Sequence, residues 1–339
     1  MKKWSLILVF GIFIFGILAF TKSFRTPIYL DIPKGFPKPV YDFKNNPLSE
    51  EGFQLGRNLF YDPILSRDNT ISCASCHLQQ TGFTHVDHDL SHGIEGRIGT
   101  RNSMTLMNLA WSKTFMWDGG INHLDVQYLH PITSAVEMDE TLSNVVKKLQ
   151  ESSTYPSLFK EAFGTDKITG QLTLRALSQF VVLLTTSNSK YDKVFRKEEQ
   201  FSEMEQKGYA VFKQNCASCH QEPLFTNDGF ENNGLALDTT LNDIGRMRIT
   251  QNEGDRQKFK VPTLRNVQFT YPYMHDGRFE TLTDVIKHYN SDLIQSPTLS
   301  KKLQQPMQLS DDERTELVAF LKTLSDKQFL FNPRFSYPK

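Results

Sequence analysis

Four cysteines occur in this chain, and they fall in two identical settings: Cys73-Ala-Ser-Cys76-His77 and Cys216-Ala-Ser-Cys219-His220. Two thiols three positions apart, followed at once by an imidazole, suit one chemistry above others. The thiols add to the two vinyl groups of a porphyrin, and the histidine lies beneath the iron as proximal ligand. A zinc site would need both pairs on one ion and would leave the histidines unexplained. A redox dithiol would not call for histidine after both pairs. The expected cofactors are therefore two covalently bound haem c groups. Cys73, Cys76, Cys216 and Cys219 attach them, and His77 and His220 are iron ligands. With all four thiols consumed, no disulfide is expected.

These motifs need helices to hold them. Ser49-Glu50-Glu51 opens a helix with Phe53, Leu55, Leu59 and Phe60 on its apolar positions, and Asp62-Pro63 ends it before the first motif. Helical patterns return over 140–151, 157–163 and 171–186. Another at 203–214 leads directly into Cys216. Ser310-Asp311-Asp312-Glu313 is a capping box for a last helix with Leu317, Phe320, Leu321 and Leu324 on one side. Alternating β patterns are scarce. The fold class is mainly α, as two cytochrome c-like domains with one haem each. The boundaries are an N-terminal haem domain at 23–190 and a C-terminal haem domain at 191–339, divided by the polar stretch 187–200. A proline-bearing arm, 26–47, precedes the first helix.

Met1-Lys2-Lys3 followed by an apolar run from Leu6 to Phe20 makes residues 1–22 a secretory signal peptide or an N-terminal membrane anchor. The run is about 15 residues, short for a confident membrane span. No clean cleavage site follows it, so an uncleaved segment anchored to the inner membrane stays open. Export agrees with haem c attachment, and the expected location is the periplasm. Length allows two domains at roughly 150 residues each. The 38 basic and 38 acidic residues cancel, so no nucleic-acid partner is expected.

The blocks Gly99-Thr100-Arg101-Asn102, Trp117-Asp118-Gly119, Ala135-Val136-Glu137-Met138, Pro262-Thr263-Leu264-Arg265-Asn266, Pro272-Tyr273-Met274-His275-Asp276-Gly277 and Val318-Ala319-Phe320-Leu321 follow in order around the two haem motifs. Over about residues 45–325 the chain resembles the bacterial di-haem cytochrome c peroxidases and their MauG-like relatives. The resemblance implies a peroxidatic N-terminal haem and an electron-transfer C-terminal haem. Glu137 then corresponds to the distal base, Gln127 to a glutamine of the same pocket and Pro131 to a residue lining it. Trp117 corresponds to the tryptophan between the haems. Asn102, Thr270 and Pro272 correspond to ligands of an inter-haem calcium ion, whose oxygen-only shell suits that metal. Hydrogen peroxide is the implied oxidant, and a small electron-donor protein (a cytochrome c or a cupredoxin) the implied reductant. Family members are often homodimers.

Two positions depart from the peroxidase pattern. The sixth ligand of the second haem, fourteen residues beyond His275, is Tyr289 instead of methionine, as in the MauG branch. A phenolate favours ferric iron and a lower potential. Met307, in a Pro-Met pair, is the alternative iron ligand, with Met274 and His288 behind it. At the first haem, the family's distal histidine position falls on Ile94. That favours an open iron, with His92 the alternative ligand and His85 and His88 loop histidines. Peroxide reduction is the leading function. MauG-like oxidation of a protein or organic substrate through a high-valent haem state, and non-enzymatic electron carriage, are the alternatives. Glu137, Gln127 and Trp117 weigh against a mere carrier.

Overall fold

Two helix pairs, each built around a glycine, frame the molecule. The computed structural model describes residues 25–338. Among these, no helix is long and apolar enough to cross a membrane. The expectation for residues 1–22 lies outside the described residues.

The first pair begins with helix Glu50–Tyr61. Ser49 caps it by accepting the Gly52 N–H at 3.0 Å, and Glu50 and Glu51 occupy its first turn. Its apolar face buries Phe53, Leu55, Leu59 and Phe60 against helix Gly170–Val181. The crossing is at Gly56, where a Cβ would run into the Ala176 carbonyl oxygen and sit 3.0 Å from the Phe180 Cβ. The second pair repeats this device. Helix Glu203–Asn215 and helix Asp311–Lys322 both start with Ser/Glu capping boxes. They cross at Gly208, where a Cβ would meet the Glu316 carbonyl oxygen and lie 3.0 Å from the Phe320 Cβ. Glycine costs a helix about 0.5–1 kcal/mol relative to alanine. Here it lets two backbones approach closely enough to pack phenylalanine beside each haem motif.

Two apolar cores result. The first gathers Phe53, Phe60, Phe83 and Phe180, with Phe60 and Phe180 centroids 5.0 Å apart. The second gathers Phe212, Phe225 and Phe320, with Phe212 and Phe320 also 5.0 Å apart. Phe329, Leu330 and Phe335, near the end of the chain, return to the first core. So does the proline-bearing arm, where Val40 and Tyr41 donate their N–H groups to the Ala110 carbonyl at 2.9 and 3.0 Å. Packing therefore crosses the linear division at 190. The apolar run 171–186 stops being helical after Val181, although the chain stays buried through Leu184 except at half-buried Leu183. Among the described residues, regular β structure is limited to Phe230–Glu231 paired antiparallel with Phe259–Lys260.

The units are joined by polar contacts. Within the second unit, Arg265 is 1% exposed and forks onto Asp192 at 2.9 and 2.8 Å while donating to the Pro223 carbonyl at 2.9 Å. Its guanidinium also faces the Phe36 ring of the arm at 4.9 Å. Arg101 of the first unit forks onto Asp243 of the second at 2.6 and 2.9 Å and reaches Asp118 at 2.6 Å.

Candidate functional site

At both haem motifs the proximal histidine is fixed by a backbone carbonyl. The His77 Nδ1 meets the Phe83 carbonyl oxygen at 2.8 Å, and the His220 Nδ1 meets those of Phe225 and Pro262 at 3.1 and 3.2 Å. A carbonyl can only accept, so Nδ1 carries the hydrogen and Nε2 is left with a lone pair for iron. Phe83 and Phe225 are fully buried and hold positive φ angles of 60° and 54°. Left-handed backbone is costly for a bulky residue, and in both units it aims the carbonyl at the histidine. Burial lowers both imidazole pKa values, that of His220 to about 4, which keeps the rings neutral as ligands.

None of the four cysteines is bonded to another. Burial pushes the thiols of Cys73 and Cys216 up to about 12 and that of Cys76 to about 11. A redox dithiol needs the opposite shift, so this environment suits sulfurs that attach a porphyrin. Around the second motif lies a cavity of about 390 Å³ lined by Cys216, Cys219, His220, Tyr289 and Met307. The donor sets fit two haem groups, and the cavity fits the second.

At the first site, Glu137 sits on a braced turn. The Met138 N–H donates to the Pro131 carbonyl at 3.1 Å and the Glu137 N–H to that of Ser134 at 3.0 Å. The Ile94 N–H donates to the Glu137 carbonyl at 2.8 Å, and a Cβ on Gly93 would lie 2.5 Å from the Glu137 Cα. Arg67 and Arg97 then clamp Asp139 at 2.5 and 3.0 Å, and Arg97 also donates to the Ala135 carbonyl at 2.8 Å. The Cys76 Sγ lies 3.4 Å from the carbonyl oxygen of His92, the neighbour of Gly93, so the Glu137 turn packs next to the first haem motif. Burial raises the Glu137 pKa, opposed by His130. Gln127, at the end of a one-turn helix, has a buried amide oxygen without a hydrogen-bond partner. Ile94 is fully buried, and its hydrocarbon side chain has no atom that could bind iron. The His92 ring stacks on His88 at 4.0 Å, and His88 on His85 at 5.1 Å.

The comparisons with known proteins agree with these two centres. A family model described as di-haem cytochrome c peroxidase matches residues 50–200, and a cytochrome c model matches 205–325. A methylamine utilization protein MauG from Methylophilus methylotrophus is 36% identical over 299 residues, 86% of each chain. A cytochrome c551 peroxidase from Nitrosomonas europaea is 33% identical over 307 residues, 89% of this chain and 87% of its own. The crystal structure of a MauG-like protein associated with microbial copper homeostasis superposes with a TM-score of 0.82 at 32% identity. It covers 92% of this chain and 99% of that one. This chain belongs to the di-haem cytochrome c peroxidase and MauG family.

As a member of that family the protein is an oxidoreductase with two haem c groups. Trp117 is 9% exposed and lines the second-site cavity. Its Nε1 donates to the Asn102 carbonyl at 2.9 Å, and its own carbonyl accepts the Lys260 N–H at 2.7 Å. Asn102, Thr270 and Pro272 line the same cavity. The Asn102 Oδ1 is buried without a partner, while its Nδ2 donates to the Pro272 carbonyl at 2.6 Å. An oxygen-binding cation suits that orphan oxygen. It would require the amide to turn so that it no longer caps Pro272.

Both candidate sixth ligands of the second haem line its cavity and are tied together, the Met307 N–H donating to the Tyr289 carbonyl at 3.2 Å. Burial raises the Tyr289 phenol to about 12, so in the protein alone it is protonated. His288 is directed elsewhere: its Nε2 meets the Asn233 carbonyl at 2.9 Å. Met274 has its sulfur 3.3 Å from Asn233 Nδ2.

Sequence reading missed the residues that hold these groups in place: the Phe83 and Phe225 carbonyls, Gly93, Arg97, and the Arg101–Asp243 fork. Arg101 lay inside a recognised block, but its partner, 142 positions away, carries no local signal.

Proposed function

We propose that this protein reduces hydrogen peroxide to water in the periplasm. Electrons enter from a small donor protein at the C-terminal haem and pass to the N-terminal one. The observation that carries this reading is Glu137, on a turn that packs against Gly93 next to the first haem motif and is locked by Arg67 and Arg97.

Bound at Cys73, Cys76 and His77 and at Cys216, Cys219 and His220, the haems supply iron centres that exchange electrons one at a time. The chain does the rest. Peroxide takes up two electrons and two protons to become two waters. Glu137 removes the proton from the inner peroxide oxygen and returns it to the outer one, which then leaves as water. The unpartnered amide oxygen of Gln127 accepts a hydrogen bond from the peroxide, and Pro131 walls the pocket. Trp117, gripped at its indole N–H and at its carbonyl, bridges the two centres. Asn102, Thr270 and Pro272 would hold a calcium ion, which would stiffen that bridge.

A second reading rests on Tyr289. Tyrosine ligation of the second haem favours storing oxidising power over accepting electrons, which suits a MauG-like oxidation of a protein or organic substrate. Steady-state peroxide reduction with reduced cytochrome c separates the two. Sustained turnover supports the peroxidase. No turnover, together with a long-lived oxidised form after peroxide addition, supports the MauG-like reading.

A further inference from the structure

The first haem motif has a second polar neighbourhood, on the Cys73 side, that peroxide cleavage does not use. Tyr128 is 6% exposed, and its hydroxyl is buried with no hydrogen-bond partner. Tyr128 packs in the same apolar core as Tyr41, and Cys73 packs against that core. Ser178 donates instead to the Leu174 carbonyl at 3.2 Å. A buried orphan hydroxyl is unusual, and phenylalanine would fill the same space without the desolvation cost. Tyr41 belongs to the same core, 9% exposed. Its hydroxyl donates to Asp125 Oδ1 at 2.7 Å and accepts from Asn46 Nδ2 at 2.8 Å. Asp125 is half-buried, and the adjoining His123 and Val126 are exposed.

We propose that Tyr128 and Tyr41, with Asp125 as proton acceptor, form a second exit for oxidising equivalents, running from the first haem site to the surface. This inference rests on the peroxidase and MauG reading, which supplies the oxidant.

The chemistry balances. Each peroxide withdraws two electrons. When the Tyr41 phenol supplies one of them, its O–H hydrogen passes as a proton along the 2.7 Å hydrogen bond to the Asp125 carboxylate, leaving a neutral tyrosyl radical and a carboxylic acid. One electron from a reductant in solution and return of that proton restore both groups. Tyr128, in the same core as Tyr41 and against which Cys73 packs, would relay the electron from a haem attached at Cys73. Burial and the Asp125 charge both raise the Tyr41 pKa, so the phenol is protonated before it is oxidised. Trp117 lines the cavity of the second haem motif, whereas Tyr41 belongs to the N-terminal arm and leads outward.

The test adds peroxide to the holoprotein without any protein donor and freezes samples for electron paramagnetic resonance. Wild type should give a free-radical signal that narrows when the protein is made with ring-deuterated tyrosine. Tyr41→Phe and Tyr128→Phe should each reduce that signal at least about tenfold with haem content unchanged; Tm should fall for Tyr41→Phe, which loses the hydrogen bonds to Asp125 and Asn46, and hold or rise for Tyr128→Phe. Asp125→Asn should reduce it as well, because the proton has no acceptor. A tyrosine signal that persists in Tyr41→Phe or Tyr128→Phe overturns the relay. So does a wild type that consumes peroxide without forming the radical, and that result leaves the peroxidase reading intact. A wild type that leaves peroxide untouched overturns the peroxidase reading, and the relay with it.

Discussion

Glu137→Gln separates a catalytic carboxylate from a structural one, because the two roles predict opposite signs. The substitution keeps the shape of the side chain and every backbone contact of the 134–139 turn. What it removes is a base. General-base assistance is typically worth about 10²–10⁴-fold, which corresponds to about 3–5 kcal/mol of barrier. Peroxide turnover should fall by that factor at neutral pH.

Stability should move the other way. Burial raises the folded-state pKa of Glu137 above its ordinary value near 4.5. The folded chain therefore holds the proton more tightly than the unfolded chain. Stability from this group is fully present below the ordinary value and is lost as pH rises through the folded one. At neutral pH the buried carboxylate is a burden that glutamine lifts, so Tm should hold or rise.

The wild-type pH profile should show an acid limb displaced above the ordinary carboxylate range, and that limb should vanish in the variant. Steady-state assays with reduced cytochrome c and thermal melts followed at the haem Soret band measure both. Wild-type-like kcat in Glu137→Gln refutes the role. A parallel drop in kcat and Tm refutes it too, since that would mark a structural acid.

Four further outcomes are expected. Ferric wild type should show one high-spin and one low-spin haem signal; Tyr289→Phe should abolish the low-spin signal, and Met307→Leu should leave it. The reverse pattern would give the sixth position to Met307. Asp192→Ala strands the buried Arg265 guanidinium without its carboxylate, and should cost about 3–5 kcal/mol by urea unfolding; a loss under 1 kcal/mol would contradict that. Gly93→Ala places a methyl 2.5 Å from the Glu137 Cα and should lower kcat while haem content stays constant. A chelator such as EGTA should slow electron transfer between the haems in wild type and have no effect in Asn102→Ala, which lacks the ligand oxygen; equal responses would discount the calcium site.

Much of this site was legible because its chemistry is local. Cys-x-x-Cys-His is complete within five residues, and a capping box such as Ser310 with Glu313 within four. Helix starts were therefore found at or near their observed positions. Leu172 to Leu184 shows the limit: hydrophobic pattern reports burial, so it carried the expected helix past Val181, where the chain remains inside but leaves the helical conformation. The tail was harder still. Nothing in Phe329, Leu330 or Phe335 says which of two aromatic cores they will join, and they join the first.

The sequence by itself determined the cofactors, the two-unit plan and the helices that carry the haem motifs, because each depends on residues close together in the chain. Only the tertiary structure decided how the reactive groups are aimed. The Phe83 and Phe225 carbonyls reach their histidines through left-handed backbone. Gly93 admits the Glu137 turn, and Lys260 and Asn102 grip Trp117 from two different units. These are contacts between surfaces that exist only once the chain has closed. A single position such as Gly93 shows no sign of what will lie 2.5 Å away.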